Sequence, residues 1–200
     1  NHPVYNVPEA FRLTGPLNIT ALEQSLQAIA QRHEILRTTF STVDGQPVQT
    51  IQAIADMQLH VIDSSTNPDA IHLLIQQEAQ RPFNLAQGSL FRATLFCINP
   101  DDHLLLFNLH HIICDEWSLK VLLEELTTLY STFADHQSES LAEPSLQYAD
   151  FAIWQRQQLA SQLEPQRTYW MQQLSGAPAL LQLPTDYPRS PSPSFRGARH

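Results

Sequence analysis

Apolar positions along the chain recur with two periods, and each period marks a different element. Leu22, Leu26 and Ile29 repeat at helical spacing and Ala30 widens the stripe. Thr20 with Glu23 three residues on has capping-box spacing, so a helix is predicted over 20–32. Leu36–Val43 and Pro47–Ile51 flank Asp44-Gly45 and predict a hairpin. Met57–Ile62 reads as a strand, and Asn67-Pro68 opens a helix that runs to Gln80. Leu90–Ile98 and His103–Leu109 predict two strands joined by Asn99-Pro100-Asp101-Asp102. In the second of them Leu104 and Leu106 face one way and Leu105, Phe107 and Leu109 the other, the pattern of a central strand covered on both sides. A helix is predicted over 118–134, a polar loop over 135–144, and two helices over 148–163 and 165–174. No internal repeat interrupts this order. Hairpins mixed with helices predict an α+β (mixed α/β) fold, a mixed sheet with flanking helices. Residues 1–182 read as one lobe; residues 183–200, with Pro184, Pro188, Pro191 and Pro193, read as an extended linker.

Composition narrows the function classes. The apolar fraction, 42%, and the charged fraction, 16%, are those of a folded protein with a core. Asp and Glu number 20 against 11 Lys and Arg, a net charge of -9, and Lys120 is the one lysine. No basic stripe exists, which argues against nucleic acid and anionic membrane surfaces as partners. No apolar run is long enough for a transmembrane helix and no signal peptide opens the chain, so a cytoplasmic location is expected. Cys97 and Cys114 lie in apolar segments and read as buried, reduced core residues rather than a disulfide pair.

Chemistry concentrates at Leu109-His110-His111-Ile112-Ile113-Cys114-Asp115-Glu116-Trp117-Ser118, where a strand gives way to a loop and then a helix. Adjacent strand residues point to opposite faces, so one histidine should do chemistry while the other braces the turn. Three readings stand for the pair: satisfied core histidines, a metal site with Asp115 as third ligand, or general acid–base catalysis by His111 acting directly on a bound substrate. No Gly-x-Ser-x-Gly elbow accompanies them. Asp115 reads either as the N-cap of the following helix or as a buried carboxylate in need of a partner.

Three segments together resemble one family. Arg32-His33-Glu34-Ile35-Leu36-Arg37-Thr38-Thr39-Phe40 resembles the RHExLRTxF motif of condensation domains from nonribosomal peptide synthetases. His110 to Ser118 resembles their HHxxxDGxS signature, and Tyr148-Ala149-Asp150-Phe151-Ala152-Ile153-Trp154-Gln155-Arg156 their YxDYAVWQR motif. Arg81-Pro82-Phe83-Asn84-Leu85 and Leu183-Pro184-Thr185-Asp186-Tyr187-Pro188-Arg189 are also similar to family segments, with Ser190 a departure. Related epimerisation domains place Ser before Trp, and here Trp117 precedes Ser118; heterocyclisation domains replace both histidines by aspartates.

The resemblance implies a chloramphenicol-acetyltransferase-like lobe, the first of two that flank a substrate tunnel, with the C-terminal lobe outside this chain. It implies that His111 is catalytic, that His110, Asp115 and Arg37 support the motif, and that Asp115 pairs with Arg37. Glu116, Trp117 and Ser118 would lie near the tunnel. Glu116 stands where the family has Gly, which predicts either strain in a left-handed conformation or a carboxylate near the tunnel. The implied reaction joins an acyl or peptidyl thioester to an aminoacyl thioester. Both ride on phosphopantetheine arms of upstream and downstream peptidyl carrier domains, beside an adenylation domain, with no metal and no cofactor bound directly. Two other functions fit the same motifs: a non-catalytic carrier-docking or gatekeeping module, and an HHxxxD acyltransferase that uses a soluble acyl donor.

Overall fold

The computed structural model describes residues 2–65, 70–137 and 141–188. The chain divides into two compact units, residues 1–149 and 150–200. In the first unit, β1 (Asn6–Thr14), β6 (Asp102–His110), β5 (Phe91–Asn99) and β4 (Leu59–Asp63) form a sheet in the order β1-β6-β5-β4. β1 and β5 run antiparallel to β6, and β4 runs parallel to β5, so the sheet is mixed. β2 (Thr38–Val43) and β3 (Gln46–Ile51) form a separate hairpin. Its turn residues Asp44 and Gly45 both have positive φ, 50° and 77°, as a type I′ turn requires.

β6 is central, and each of its faces carries its own cluster. Leu105, Phe107 and Leu109 pack with Phe91, Ala93 and Leu95 of β5, and against Leu22, Leu26 and Ile29 of α1 (Ile19–Arg32) and Leu122, Leu126 and Leu129 of α3 (Glu116–Ala134). Leu106 and Phe96 on the other face pack against Ile71 of α2 (Ile71–Gln80). The alternation along β6 therefore carries two helical layers at once.

Several expectations are corrected. β1 is absent from the sequence reading, because Glu9 breaks the Val7, Phe11, Leu13 alternation and Pro8 argues against a strand. Pro8 is tolerated because β1 is an edge strand, where a missing N–H need not cost a ladder bond. The N-cap of α1 is Asn18, whose Oδ1 accepts the Ala21 N–H at 3.0 Å; Thr20 falls inside the first turn. Cys97 is half-buried, whereas Cys114 is buried. The predicted cap at Asn67 and Pro68 lies outside the described residues.

α4 (Tyr148–Gln173) is one helix in place of two, with Pro165 inside it. Proline removes a single N–H, that to the Ser161 carbonyl, and the helix continues past the lost bond. The described residues of the second unit are almost all exposed, including Trp154 and Trp170. Leu183–Pro188 form no helix or strand, and residues 189–200 lie outside the described chain.

Candidate active site

The His pair straddles the end of β6. His110 is the last strand residue and His111 the first residue of the turn. His110 faces inward, its ring 5.9 Å from that of Tyr5 and edge-on to Phe83 at 6.1 Å. Its Nδ1 accepts the Ile112 N–H at 3.1 Å, and its carbonyl accepts the Ile113 N–H at 3.0 Å. Burial, aided by the neighbouring His111, holds the His110 imidazole below its ordinary pKa. That matches an Nδ1 that must stay unprotonated to accept. His111 is tied by its backbone N–H to the Tyr5 carbonyl at 2.8 Å, and its exposed imidazole has no hydrogen-bond partner among the described residues. It lines a cavity of about 240 Å³ with Ile35, Cys114, Asp115, Ser118 and Tyr148. The two adjacent rings therefore have different surroundings: that of His110 is packed against Tyr5 and Phe83, and that of His111 is presented to the cavity.

Asp115 caps α3. Its Oδ1 accepts from the Ser118 N–H at 2.8 Å and the Ser118 hydroxyl at 2.6 Å, while the Asp115 N–H donates to Ser118 Oγ at 3.3 Å, a reciprocal capping box. The Ser118 hydroxyl, then the Ser118 N–H, keep the carboxyl below the usual carboxylate range; the His111 charge adds a smaller pull. Glu116 is the first residue of α3, and its φ is not positive. The expected strain is therefore absent: an acidic side chain in the first turn complements the helix dipole.

Arg37 does not pair with Asp115. Its Nη2 lies 3.6 Å from Glu34 Oε1, its Nε donates to the Gln31 carbonyl at 3.2 Å, and its Nη1 donates to the Gln52 carbonyl. It ties the end of α1 to the end of β3. The carboxylate expected to bind Arg37 is taken up by its own helix. Arg32 and His33 of the same motif grip Glu125 of α3, through Arg32 Nε at 3.2 Å and His33 Nε2 at 2.7 Å.

Trp117 is 72% exposed, with Lys120 Nζ 5.4 Å from its ring centroid. It edges a second, apolar cavity of about 190 Å³ between α1 and α3, lined also by Ile29, Leu36, Leu119 and Leu122. Burial, then the Asp115 charge, push the Cys114 thiol up to about 11, so it is a core residue and no nucleophile. Among the described residues no group of His, Cys, Asp and Glu is placed to hold a metal ion. No helix among them is long and apolar enough to cross a membrane. Tyr5, Phe83 and Tyr148 border the His pair, and sequence reasoning does not single them out for it; Phe83 and Tyr148 sit in family-like motifs, while Tyr5 lies in Tyr5-Asn6-Val7-Pro8, which reads only as a lean toward an L-configured donor.

A family model described as "Condensation domain" matches residues 1–200. The chain belongs to the condensation-domain family. It is 47% identical to one of the linear gramicidin synthase proteins of Brevibacillus parabrevis over 98% of this chain and 4% of that protein. It is 39% identical to surfactin synthase subunit 2 of Bacillus subtilis (strain 168) over 96% of this chain and 5% of that protein. This condensation-domain chain thus spans only a few per cent of those multidomain synthases. Among solved structures it is similar to the X-domain complexed with OxyB from teicoplanin biosynthesis, at 31% identity and a TM-score of 0.84 over 96% of this chain and 43% of that one. SgcC5 from Streptomyces globisporus, solved with a naphthyl ethanediol, matches at 27% identity and a TM-score of 0.74, over 94% of this chain and 43% of that one. The mixed sheet with flanking helices is the chloramphenicol-acetyltransferase-like fold of condensation-domain lobes.

Proposed function

We propose that this chain supplies the His-bearing lobe of a condensation domain that forms amide bonds in nonribosomal peptide synthesis. The observation that carries the reading is His111. It is presented unpartnered at a strand end, over a cavity, in the HHxxxD position of a condensation-family chain. The donor is an acyl or peptidyl thioester and the acceptor an aminoacyl thioester, each on the phosphopantetheine arm of a carrier domain in the cytoplasm. The acceptor amine attacks the thioester carbonyl carbon. The C–N bond forms, the C–S bond breaks, and the amine proton ends on the departing pantetheine thiol. His111 takes that proton or holds the amine in line by a hydrogen bond. Holding the reactants in line is worth roughly 7–11 kcal/mol in well-oriented systems. A second lobe completes the tunnel. Asp115 and Ser118 fix the first turn of α3 beside His111, and Arg37 anchors the segment that brings Ile35 to the cavity.

The test is His111→Ala in the full-length protein with both carriers loaded, reading formation of the dipeptidyl carrier. Loss of product in a folded variant is expected; undiminished turnover refutes the reading. The X-domain neighbour, solved in complex with a second protein, favours docking without catalysis as the alternative. Retained carrier binding with no condensation by the unaltered protein would select it. Turnover of free thioesters without carriers would instead select a soluble-donor acyltransferase.

A further inference from the structure

Residues 81–85 and Arg92 have no part in the chemistry above, yet three strands send polar side chains to meet at that segment. Asn6 of β1 donates through Nδ2 to the Ala79 carbonyl at 2.7 Å and the Arg81 carbonyl at 3.0 Å. Asn108 of β6, fully buried, donates through Nδ2 to the Glu78 carbonyl at 2.7 Å. Arg92 of β5 donates through Nη2 to the Arg81 carbonyl at 2.6 Å and through Nη1 to the Pro82 carbonyl at 3.4 Å. These carbonyls belong to the last turn of α2 and the strap after it, where helix-internal donors run out; the Glu78 carbonyl also accepts the Arg81 N–H at 3.2 Å. Arg92 Nε also lies 2.7 Å from Glu78 Oε1, an ion pair whose direction misses hydrogen-bond geometry.

The register places this clamp beside the His pair. Arg92 stands opposite Asn108 on β6, and Asn6 stands opposite His110. The next strap residue, Phe83, is 5% exposed. The Arg92 guanidinium carbon lies 3.7 Å from its ring centroid, and the His110 ring meets it edge-on at 6.1 Å. His110 in turn accepts the Ile112 N–H, and that turn sets where His111 sits.

We propose that Arg92 is a positioning residue for His111: it fixes the strap of residues 81–83, whose Phe83 ring holds His110 in the orientation that accepts the Ile112 amide. The inference rests on the catalytic reading of His111. Arginine suits the place because its planar fork reaches two carbonyls while its face stacks on a ring; lysine does only part of this. A displacement of about 1 Å in a reacting group can cost roughly 100-fold in rate. A relay this short therefore needs only a small rotation of His110 to matter.

The test uses the full-length protein with both carriers loaded. The variants are Arg92→Ala, Arg92→Lys, Phe83→Leu and His110→Ala, the first three also combined with His110→Ala, and His111→Ala as reference. The readouts are kcat, KM for the acceptor carrier, and the thermal midpoint. Arg92→Ala and Phe83→Leu should lower kcat roughly 10- to 100-fold, with KM changed by no more than about twofold; Arg92→Lys should fall between. Each double variant should be no slower than His110→Ala alone, since all act through one ring. A clamp with a purely structural role would lower the thermal midpoint and leave kcat per folded molecule intact. Full kcat in folded Arg92→Ala, or losses that multiply with those of His110→Ala, overturns the relay. Should Arg92→Ala not fold, Arg92→Lys and Phe83→Leu carry the same decision. If His111→Ala is inactive while these variants keep full kcat, the relay alone fails; full turnover by His111→Ala overturns the catalytic reading and the relay with it.

Discussion

Asp115→Ala and Asp115→Asn together separate two accounts of the motif aspartate. In the structure Asp115 Oδ1 accepts two hydrogen bonds from Ser118, at 2.8 and 2.6 Å, and closes the capping box of α3. Alanine removes the cap, a loss of about 1 kcal/mol with an upper range near ~2. It also removes a negative charge from the positive end of the helix dipole, worth about 0.3–1 kcal/mol. The sum is about 1–2 kcal/mol, since Leu122, Leu126 and Leu129 still bind the rest of α3 to the core. For a domain of this size that lowers the thermal midpoint by roughly 2–4 °C per kcal/mol. Asparagine keeps the accepting oxygen and gives up only the charge, so its loss should stay near ~0.5 kcal/mol. A buried ion pair with Arg37 would behave differently: either substitution would cost about 3–5 kcal/mol. Urea midpoints of the two single variants, Arg37→Ala and the doubles decide between them. Asparagine as damaging as alanine, or a coupling to Arg37→Ala above about 0.5 kcal/mol, would refute the cap account. The pH dependence has a fixed sign. Ser118 holds the Asp115 carboxyl below its ordinary value. Its contribution is present above the unfolded value near ~3.9 and is lost as pH falls through the lower folded value. The gap between wild type and alanine should stay flat from about pH 5 to 8 and close only in stronger acid.

Glu125→Ala leaves Arg32 and His33 without their shared acceptor and should lower unfolding free energy by about 3 kcal/mol; a urea midpoint within ~0.5 kcal/mol of wild type would show that the α1–α3 ion contacts carry no stability. Burial and His111 hold His110 below the ordinary imidazole value, so stability is whole above the unfolded value near ~6.5 and declines as pH falls through the depressed folded value. His110→Gln should flatten that slope in a pH series of unfolding free energies, and an unchanged slope assigns it to another group. Cys114, with its thiol pushed up to about 11, should resist iodoacetamide at pH near ~8 in the folded protein and react once unfolded; rapid labelling of the native protein, read by peptide mass, contradicts its burial.

How far the amino-acid sequence reaches depends on how local each signal is. β5, β6, α1 and α3 carry apolar periods within their own residues, and both faces of β6 are readable as covered. β1 is not readable, because an edge strand tolerates Pro8 and Glu9 where a central strand would not. α4 reads as two helices because a proline usually marks a boundary, yet one lost hydrogen bond in a 26-residue helix does not end it. At the site, the Asp115-x-x-Ser118 cap is local and is readable as one of two options. The true partners of Arg37 are not readable, because Glu34, three residues away, and the carbonyls of Gln31 and Gln52 occupy the guanidinium first. Asn6, Asn108 and Arg92 each look like a lone polar residue in a strand; only the register brings them to the end of α2.

That register also explains why two adjacent histidines sit in unlike surroundings. β6 ends at His110, so His110 still obeys the pleat and points to the face where α2 ends, onto Phe83. An apolar side chain could fill that space, but it could not accept the Ile112 N–H, and a protonated imidazole could not accept it through Nδ1 either. The position thus demands a neutral ring with one open nitrogen lone pair, which burial against Phe83 and Tyr5 favours. His111, one residue later, is free of the pleat. Its backbone is pinned to Tyr5 and its ring is left open to the cavity. In the proposed relay the placement of the second histidine is set by the packing of the first, and through it by a strap about thirty residues upstream.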